Sequence, residues 1–294
     1  MSKISNRAQV DPSAEIGAQV TIGPFCVIGP KVKIGDHCEL ISNVSIEGNT
    51  RIGSNNVFYQ NVVIGAAPQD LKYNGGPTET IIGANNVFRE NCTVHRGTEL
   101  DQGKTVIGSD CLFMVGVHIA HDCILADQIL MANQTMLAGH VKIEESAVIM
   151  ALIGIHHFVT VGKYSYIGGM TPVRRDVPPF MKFSGDPNTV RGVNEEGLKR
   201  RHFSDAEITQ LKRAYRKLFR EGNSIAEQLD QLEHQDDLSE HVQYLCQFMR
   251  QSMQDRFGRY QEMARRDTLE HRQIHQPAEV RDKSQEKGKI WSKK

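Results

Sequence analysis

The sequence predicts a mainly β protein, a solenoid of short stacked strands followed by a small C-terminal α-helical domain. Three observations carry that reading. Every sixth residue is bulky and apolar over a long stretch: Ile107, Phe113, Ile119, Leu125, Met131, Leu137, Ile143, Ile149, Ile155, Val161 and Ile167. This period is neither the 3.6 of a helix nor the 2 of an ordinary strand. Small residues recur around these marks, Gly directly after many of them and Ala, Val or Cys four residues on. Beyond Ser204 the spacing turns helical.

The beat starts at Val10 and runs through Ile16, Ile22, Ile28, Ile34, Leu40, Ile46, Ile52, Phe58 and Ile64, with Gly17, Gly23, Gly29, Gly35, Gly53 and Gly65 following six of these marks. A bulky residue followed by Gly reads as a short strand ending at a tight turn, with Gly meeting the φ of the corner. One unit cannot bury its own apolar residue, but a stack of units can. Residues 66–80 leave the beat, which resumes at Ile82, Phe88 and Val94, and residues 97–105 leave it again. Such loops on a rigid scaffold are where function concentrates; the first carries Gln69, Asp70 and Lys72.

The repeat is expected to end near Val173, because Pro172, Pro178 and Pro179 cannot donate to a ladder and Arg174, Arg175 and Asp176 place charge in the core slot. An irregular connector to about His202 is expected next. Ser204 with Glu207 forms a capping box ahead of Ile208, Leu211, Tyr215 and Leu218, and Ser224 with Glu227 repeats it ahead of Leu229 and Leu232. A third helix is expected over 238–265, with Val242, Leu245, Phe248, Met249 and Met253 as its stripe. Residues 266–294 are charge-rich and apolar-poor and are expected to be disordered. The predicted division is therefore a solenoid over 1–180, connector and helical domain over 181–265, and a tail.

At 294 residues and 39% apolar content the chain has material for a sizeable core. Its 35 basic and 35 acidic side chains balance, so no global field draws it to nucleic acid or membrane. Without a signal-peptide pattern or a spanning apolar run, a cytoplasmic address is expected, with no stable membrane insertion. Cys26, Cys38, Cys92, Cys111 and Cys123 stand four residues after core marks and read as small core residues. No CxxC pair suggests a zinc site.

The chemistry to explain lies in histidines between the marks. His95 and His156 directly follow Val94 and Ile155, His118 precedes Ile119, His121 follows it by two, and His140 follows Leu137 by three. None holds a core slot, so all five are expected at the surface or corners of the solenoid. If three hexads make one coil of eighteen residues, position 121 lies under 139, and His121 and His140 are neighbours on successive coils. A neutral imidazole can take a proton from a hydroxyl or bind a metal. Asp122 beside His121 would fix its tautomer and stabilise the imidazolium, provided that the chain turns there, since adjacent strand residues face opposite ways.

Four segments together resemble the acyl-ACP:UDP-N-acetylglucosamine O-acyltransferases that begin lipid A synthesis. They are His118, Ile119, Ala120, His121, Asp122 and Cys123; the loop from Ala67 through Pro68, Gln69, Asp70, Leu71 and Lys72 to Tyr73; Thr93, Val94, His95, Arg96, Gly97 and Thr98; and residues 194–201, ending Glu196, Gly197, Leu198, Lys199, Arg200 and Arg201. The resemblance spans about residues 5 to 260. It implies a left-handed parallel β-helix of hexapeptide repeats, assembled as a homotrimer with active sites between subunits. It further implies that His121 is the general base toward the glucosamine 3-hydroxyl, that Asp122 orients it, and that the Gly139 amide is the oxyanion donor. The hydroxyl would attack the thioester of a 3-hydroxyacyl carrier protein directly, with no cofactor, no metal and no acyl-enzyme. Gln69, Asp70, Lys72, His95, His118, His140 and His156 would line the sugar-nucleotide and acyl pocket. Asn194, Glu196, Arg200 and Arg201 would face the nucleotide or carrier, where paired arginines suit a diphosphate. Gly169 matches the acyl-length ruler and would leave the groove open to a longer chain, which Met170 beside it would shorten. The run 151–155 is bulkier than the family pattern.

Two other classes keep the same scaffold. A zinc γ-type carbonic anhydrase would use His95, His118 and His121 as ligands, and another sugar N- or O-acyltransferase would take a different acceptor. Neither accounts for the 69–73 loop together with residues 197–201.

Overall fold

A computed structural model of the chain describes residues 1–222, 224–235 and 238–254. Short parallel strands, most of two residues as in His118–Ile119, coil into a left-handed helix with three flat faces. One face holds eleven strands and the others eight each. Backbone partners lie eighteen residues apart wherever the beat is unbroken: Lys3 pairs with Thr21, His118 with Met136, and Met136 with Gly154. The marks point inward, and from Ile22 to Ile167 they form one continuous column of core. Near its middle the rings of Phe58, Phe88 and Phe113 stack at centroid distances of 5.0 and 4.8 Å. All six cysteines are buried and free.

The corners correct the reading of the glycines. Except at Gly65, with φ 76°, positive φ falls not on the residue after the mark but on the third one, at Gln19, Phe25, Asn55, Asn85, Asp122 and His140 among others. Asn, Asp and His are enriched there because they tolerate the left-handed region better than branched residues do. The glycines answer a different constraint. A Cβ on Gly23 would lie 1.8 Å from the Ile41 carbonyl oxygen, and one on Gly53 would lie 2.7 Å from that of Gly83. They are glycine because the next coil passes where a side chain would start.

The two excursions widen the spacing without breaking the stack. Val57 pairs with Val87 across the first, and Val87 with Leu112 across the second. They also hold each other, since the Asn74 N–H donates to Glu99 Oε1 at 2.7 Å. Arg96 ties the first to the solenoid, donating to Tyr73 Oη at 3.1 Å and to the Gly65 carbonyl at 2.8 Å.

The C-terminal boundary also differs from the expectation. Stacking continues past Val173 through bridges Ile155 to Val173 and Val161 to Val177, and Met181–Ser184 pairs in parallel with Tyr166–Ile167. The segment expected to be irregular holds an antiparallel hairpin, Met181–Ser184 with Thr189–Val193, and a short helix α1, Glu195–Arg200. The prolines fall at the ends of these pieces, where no ladder donor is needed. Helix α2, Asp205–Arg220, has the full Ser204–Glu207 capping box and buries Ile208, Leu211 and Leu218. Helix α3, Ile225–Glu233, starts where Ser224 Oγ accepts the Glu227 N–H, and α4 spans Glu240–Gln254. These helices share a second core with Phe180, Met181 and Val193. The expected continuation of the last helix to 265 and the tail lie outside the described residues. Among the described residues no helix is long and apolar enough to cross a membrane.

Gly23→Ala is expected to destabilise the fold by about 1–3 kcal/mol, since the added methyl must displace backbone. Asn55→Gly, at a left-handed corner, should stay within about 1 kcal/mol because relieved strain offsets the extra unfolded-state freedom. Calorimetric unfolding of both variants checks the assignment; equal losses would contradict it.

Candidate active site

One face of the solenoid carries the strands Val63–Ala66, Thr93–His95, His118–Ile119, Met136–Leu137 and Gly154–Ile155 in spatial succession. The histidines gather at its edge. A cavity of about 510 Å³ opens there, lined among others by Gln69, His95, His118, His121, Gly139, His156, His157 and Arg174.

The corner after Ile119 does what the pairing of His121 with Asp122 requires. Asp122 has φ 59°, so two side chains that a strand would send to opposite faces meet instead, Nδ1 to Oδ2 at 2.9 Å. Asp122 is fully committed. Its Oδ1 accepts the Thr98 N–H at 2.9 Å, its Oδ2 accepts the Thr98 hydroxyl at 2.6 Å, and its own N–H donates to Thr105 Oγ1 at 2.9 Å. Burial pushes this carboxyl up, but the hydrogen bonds from His121 and Thr98 outweigh it and hold it below its ordinary value. With Nδ1 facing the carboxylate, His121 keeps Nε2 for a proton from outside.

The eighteen-residue register stacks Gly139 directly on this imidazole. A Cβ there would lie 2.5 Å from His121 Cε1, so only glycine lets the backbone come so close. Its N–H meets no backbone acceptor among the described residues.

The register also brings His121 and His140 together, with ring centroids 5.0 Å apart and edge to face. His95 and His118 form a second such pair at 4.9 Å. His118 Nδ1 lies 2.7 Å from Thr93 Oγ1, and His140 Nδ1 lies 2.5 Å from Asp101 Oδ2. The expectation of surface histidines is corrected here: His95, His121 and His140 are only 6, 8 and 7% exposed. The excursions and the following coil cover them. Burial, and after it the neighbouring His118, His121 and Arg96, pushes His95 down to about 4. Burial and His121 likewise hold His118 below its ordinary value. Both rings are therefore neutral at physiological pH. The buried thiols are raised, Cys123 to about 12 by desolvation first, and are poor nucleophiles.

Other expected site residues are placed as follows. Gln69 reaches the cavity, while Asp70 and Lys72 pair with each other at 3.4 Å. His156 lines the cavity with its ring 5.2 Å from that of His157. Gly169 and Met170 are exposed on a later corner. Asn194 is buried, its Nδ2 donating to the Tyr164 carbonyl at 2.9 Å, and Glu196 and Arg200 are exposed on α1. Arg201, just after α1, donates to Gln128 Oε1. Within one chain these last four do not line the histidine cavity. Among the described residues the group with metal-ligating atoms within 4.8 Å of one another is His121, Asp122 and His140, not the trio that a zinc reading would use. Thr98, Thr105, Asp101 and Phe158 were not legible as partners; the break in the beat at 97–105 signalled only that something is added there, and nothing signalled Phe158, which lies within the unbroken beat.

Similarity to known proteins follows the same lines. Residues 176–257 match the family model described as UDP N-acetylglucosamine O-acyltransferase, domain 2. An acyl-(acyl-carrier-protein):UDP-N-acetylglucosamine O-acyltransferase of Verminephrobacter eiseniae is 48% identical over 225 residues, 76% of this chain and 86% of that protein. One of the same name from Halorhodospira halophila is 43% identical over 85% of this chain and 96% of its own length. Among solved structures, the UDP-N-acetylglucosamine acyltransferase of Bacteroides fragilis superposes with a TM-score of 0.83 at 37% identity, covering 85% of this chain and 97% of that one. That of Moraxella catarrhalis gives 0.82 at 41% identity with the same coverage. With this identity along nearly the whole length of its relatives, the chain belongs to the acyl-(acyl-carrier-protein):UDP-N-acetylglucosamine O-acyltransferase family.

Proposed function

We propose that this protein transfers an (R)-3-hydroxyacyl group from acyl carrier protein to the 3-hydroxyl of UDP-N-acetylglucosamine, the first step of lipid A synthesis. The observation that carries the proposal is the His121–Asp122 pair with the Gly139 amide stacked on it at the edge of the cavity. His121 Nε2 takes the proton of the 3-hydroxyl as the oxygen attacks the thioester carbonyl. Asp122 stabilises the imidazolium. The Gly139 N–H donates to the oxyanion of the tetrahedral intermediate. Collapse breaks the C–S bond, and the imidazolium returns its proton to the leaving thiolate.

Direct transfer suits a site whose thiols are raised and buried. Neutral His95 and His118 offer hydrogen bonds to an uncharged sugar without adding charge beside the base. Gln69, Asp70, Lys72 and His156 fit the sugar-nucleotide end, and Gly169 with Met170 fits the end of the acyl groove. The separation of Asn194, Glu196, Arg200 and Arg201 from the cavity within one chain is what a homotrimer would resolve, a neighbouring subunit completing the pocket for nucleotide or carrier. The reaction described needs no cofactor or metal, and its substrates place it in the cytoplasm.

Mass spectrometry of the products from UDP-N-acetylglucosamine and a mixture of acyl carrier proteins tests the function and reads the chain length. His121→Ala is expected to lower kcat by about 10²- to 10⁴-fold. Gly139→Ala, which pushes the imidazole aside, should cost about 10²-fold. Turnover at the wild-type rate in His121→Ala would remove His121 as the base.

The neutral His95 also sets a pH dependence of stability. Its folded value, about 4, lies below the unfolded 6.5, so the unfolded chain binds more protons between those values. Its contribution is full above pH 6.5 and is lost as pH falls toward 4, by up to about 3 kcal/mol. Asp122, lowered from 3.8, keeps its contribution throughout this window and loses it only below. His95→Gln should flatten the fall in melting temperature between pH 6.5 and 4.5; an unchanged slope would show that His95 is not its source.

A further inference from the structure

We propose that Asp101 is a positioning residue that acts through His140 to keep the His121–Asp122 pair intact. The inference rests on the acyl-transfer reading and deepens it by giving the second excursion a task.

Asp101 lies in the loop between Thr93–His95 and Lys104–Ile107. Its Oδ2 is 2.5 Å from His140 Nδ1, across 39 residues of sequence. The pair is partly removed from water, with the His140 side chain 7% and the Asp101 side chain 27% exposed. The His140 ring is held on both sides, stacked on Phe158 at 4.4 Å and 5° and set edge to face against His121. Its corner backbone, at φ 65°, fixes where the ring can start.

The charged groups around His140 make this partner consequential. Asp122 Oδ2, which accepts from His121 Nδ1, is only 3.9 Å from His140 Nδ1. Two imidazoles therefore face one carboxylate oxygen. A carboxylate this close attracts whichever ring donates to it, and an acceptor shared between two rings would leave the tautomer of His121 undefined. Asp101 removes the conflict by giving His140 a carboxylate of its own. With Nδ1 committed to Asp101, His140 no longer competes with His121 for Asp122. The same loop delivers Thr98 to both oxygens of Asp122, so one excursion sets both pairs.

A double-mutant cycle tests the assignment on the full-length chain with UDP-N-acetylglucosamine and acyl carrier protein. Asp101→Asn preserves the size of the side chain and removes its charge. Asparagine suits the left-handed corner at His140→Asn. Asp101→Asn alone is expected to lower kcat by about 10- to 100-fold, the range typical of losing a carboxylate behind a functional histidine, with KM for the sugar nucleotide within about 2-fold. In the His140→Asn background the same change should have no further effect. A merely structural role for the loop would instead give the same loss in both backgrounds, or move KM and melting temperature together, and either result overturns the proposal. Wild-type kcat in Asp101→Asn also overturns it. Wild-type turnover in His140→Asn alone ends the proposal while the transfer reading, tested on His121, stands.

Discussion

The site depends on one geometric constraint, the eighteen-residue register of a coil with three corners. Most corners bend the backbone into the left-handed region at the third residue after a core mark, and the ladder repeats the bend coil after coil. At most corners this only turns the chain. At Asp122 it places a carboxylate beside the imidazole of the residue before it, and at His140, one coil later, the same bend sets a second imidazole over the first. Stacking then brings the Gly139 backbone to the ring of His121 at a distance that excludes any side chain. The residues proposed as base, orienting carboxylate and amide donor are thus properties of one repeated corner, differing from its neighbours only in side chains. A packed column of apolar marks beneath it keeps that corner from relaxing.

Electrostatics follow from how deeply these groups sit. A carboxylate removed from water is costly unless donors satisfy it, and Asp122 receives the ring of His121 and two donors from Thr98. These donors secure its charge without reorganisation, as the role proposed for it beside an imidazolium requires. For His95 and His118, burial without a facing carboxylate holds the rings neutral. One site therefore contains imidazoles with different partners, two with a carboxylate facing Nδ1 and two without.

Much of this was legible in the sequence, because periodicity survives without knowledge of contacts. The sixfold beat gave the solenoid, its core and the stacking of position 121 under 139, and the need for a turn at Asp122 followed from strand geometry alone. The glycines were legible as special but not for the right reason, since a close approach by the next coil and a positive φ leave the same residue in the sequence. The end of the stack was hidden because Met181–Ser184 rejoins the ladder after an interval that the beat does not mark. Left-handedness has no signal in composition or spacing and entered only through resemblance. Exposure of the histidines was misjudged because their cover comes from chain that is distant in sequence.

The residues that stayed hidden share a cause. Within a strict solenoid a side chain meets the same face of the coils above and below, so its partners sit about eighteen residues away and can be read by counting. An imidazole needs a partner on the side that the ladder does not supply, and chain that leaves the beat must bring it. The second excursion does so, taking the pairing of Val87 to Leu112 and returning Thr98 to the carboxylate of Asp122, 24 residues on, and Asp101 to the ring of His140, 39 residues on. Nothing in a nine-residue break announces which of its side chains turns back. The repeat therefore predicts where the His121–Asp122 pair is held, while the interruptions supply the partners that fix it.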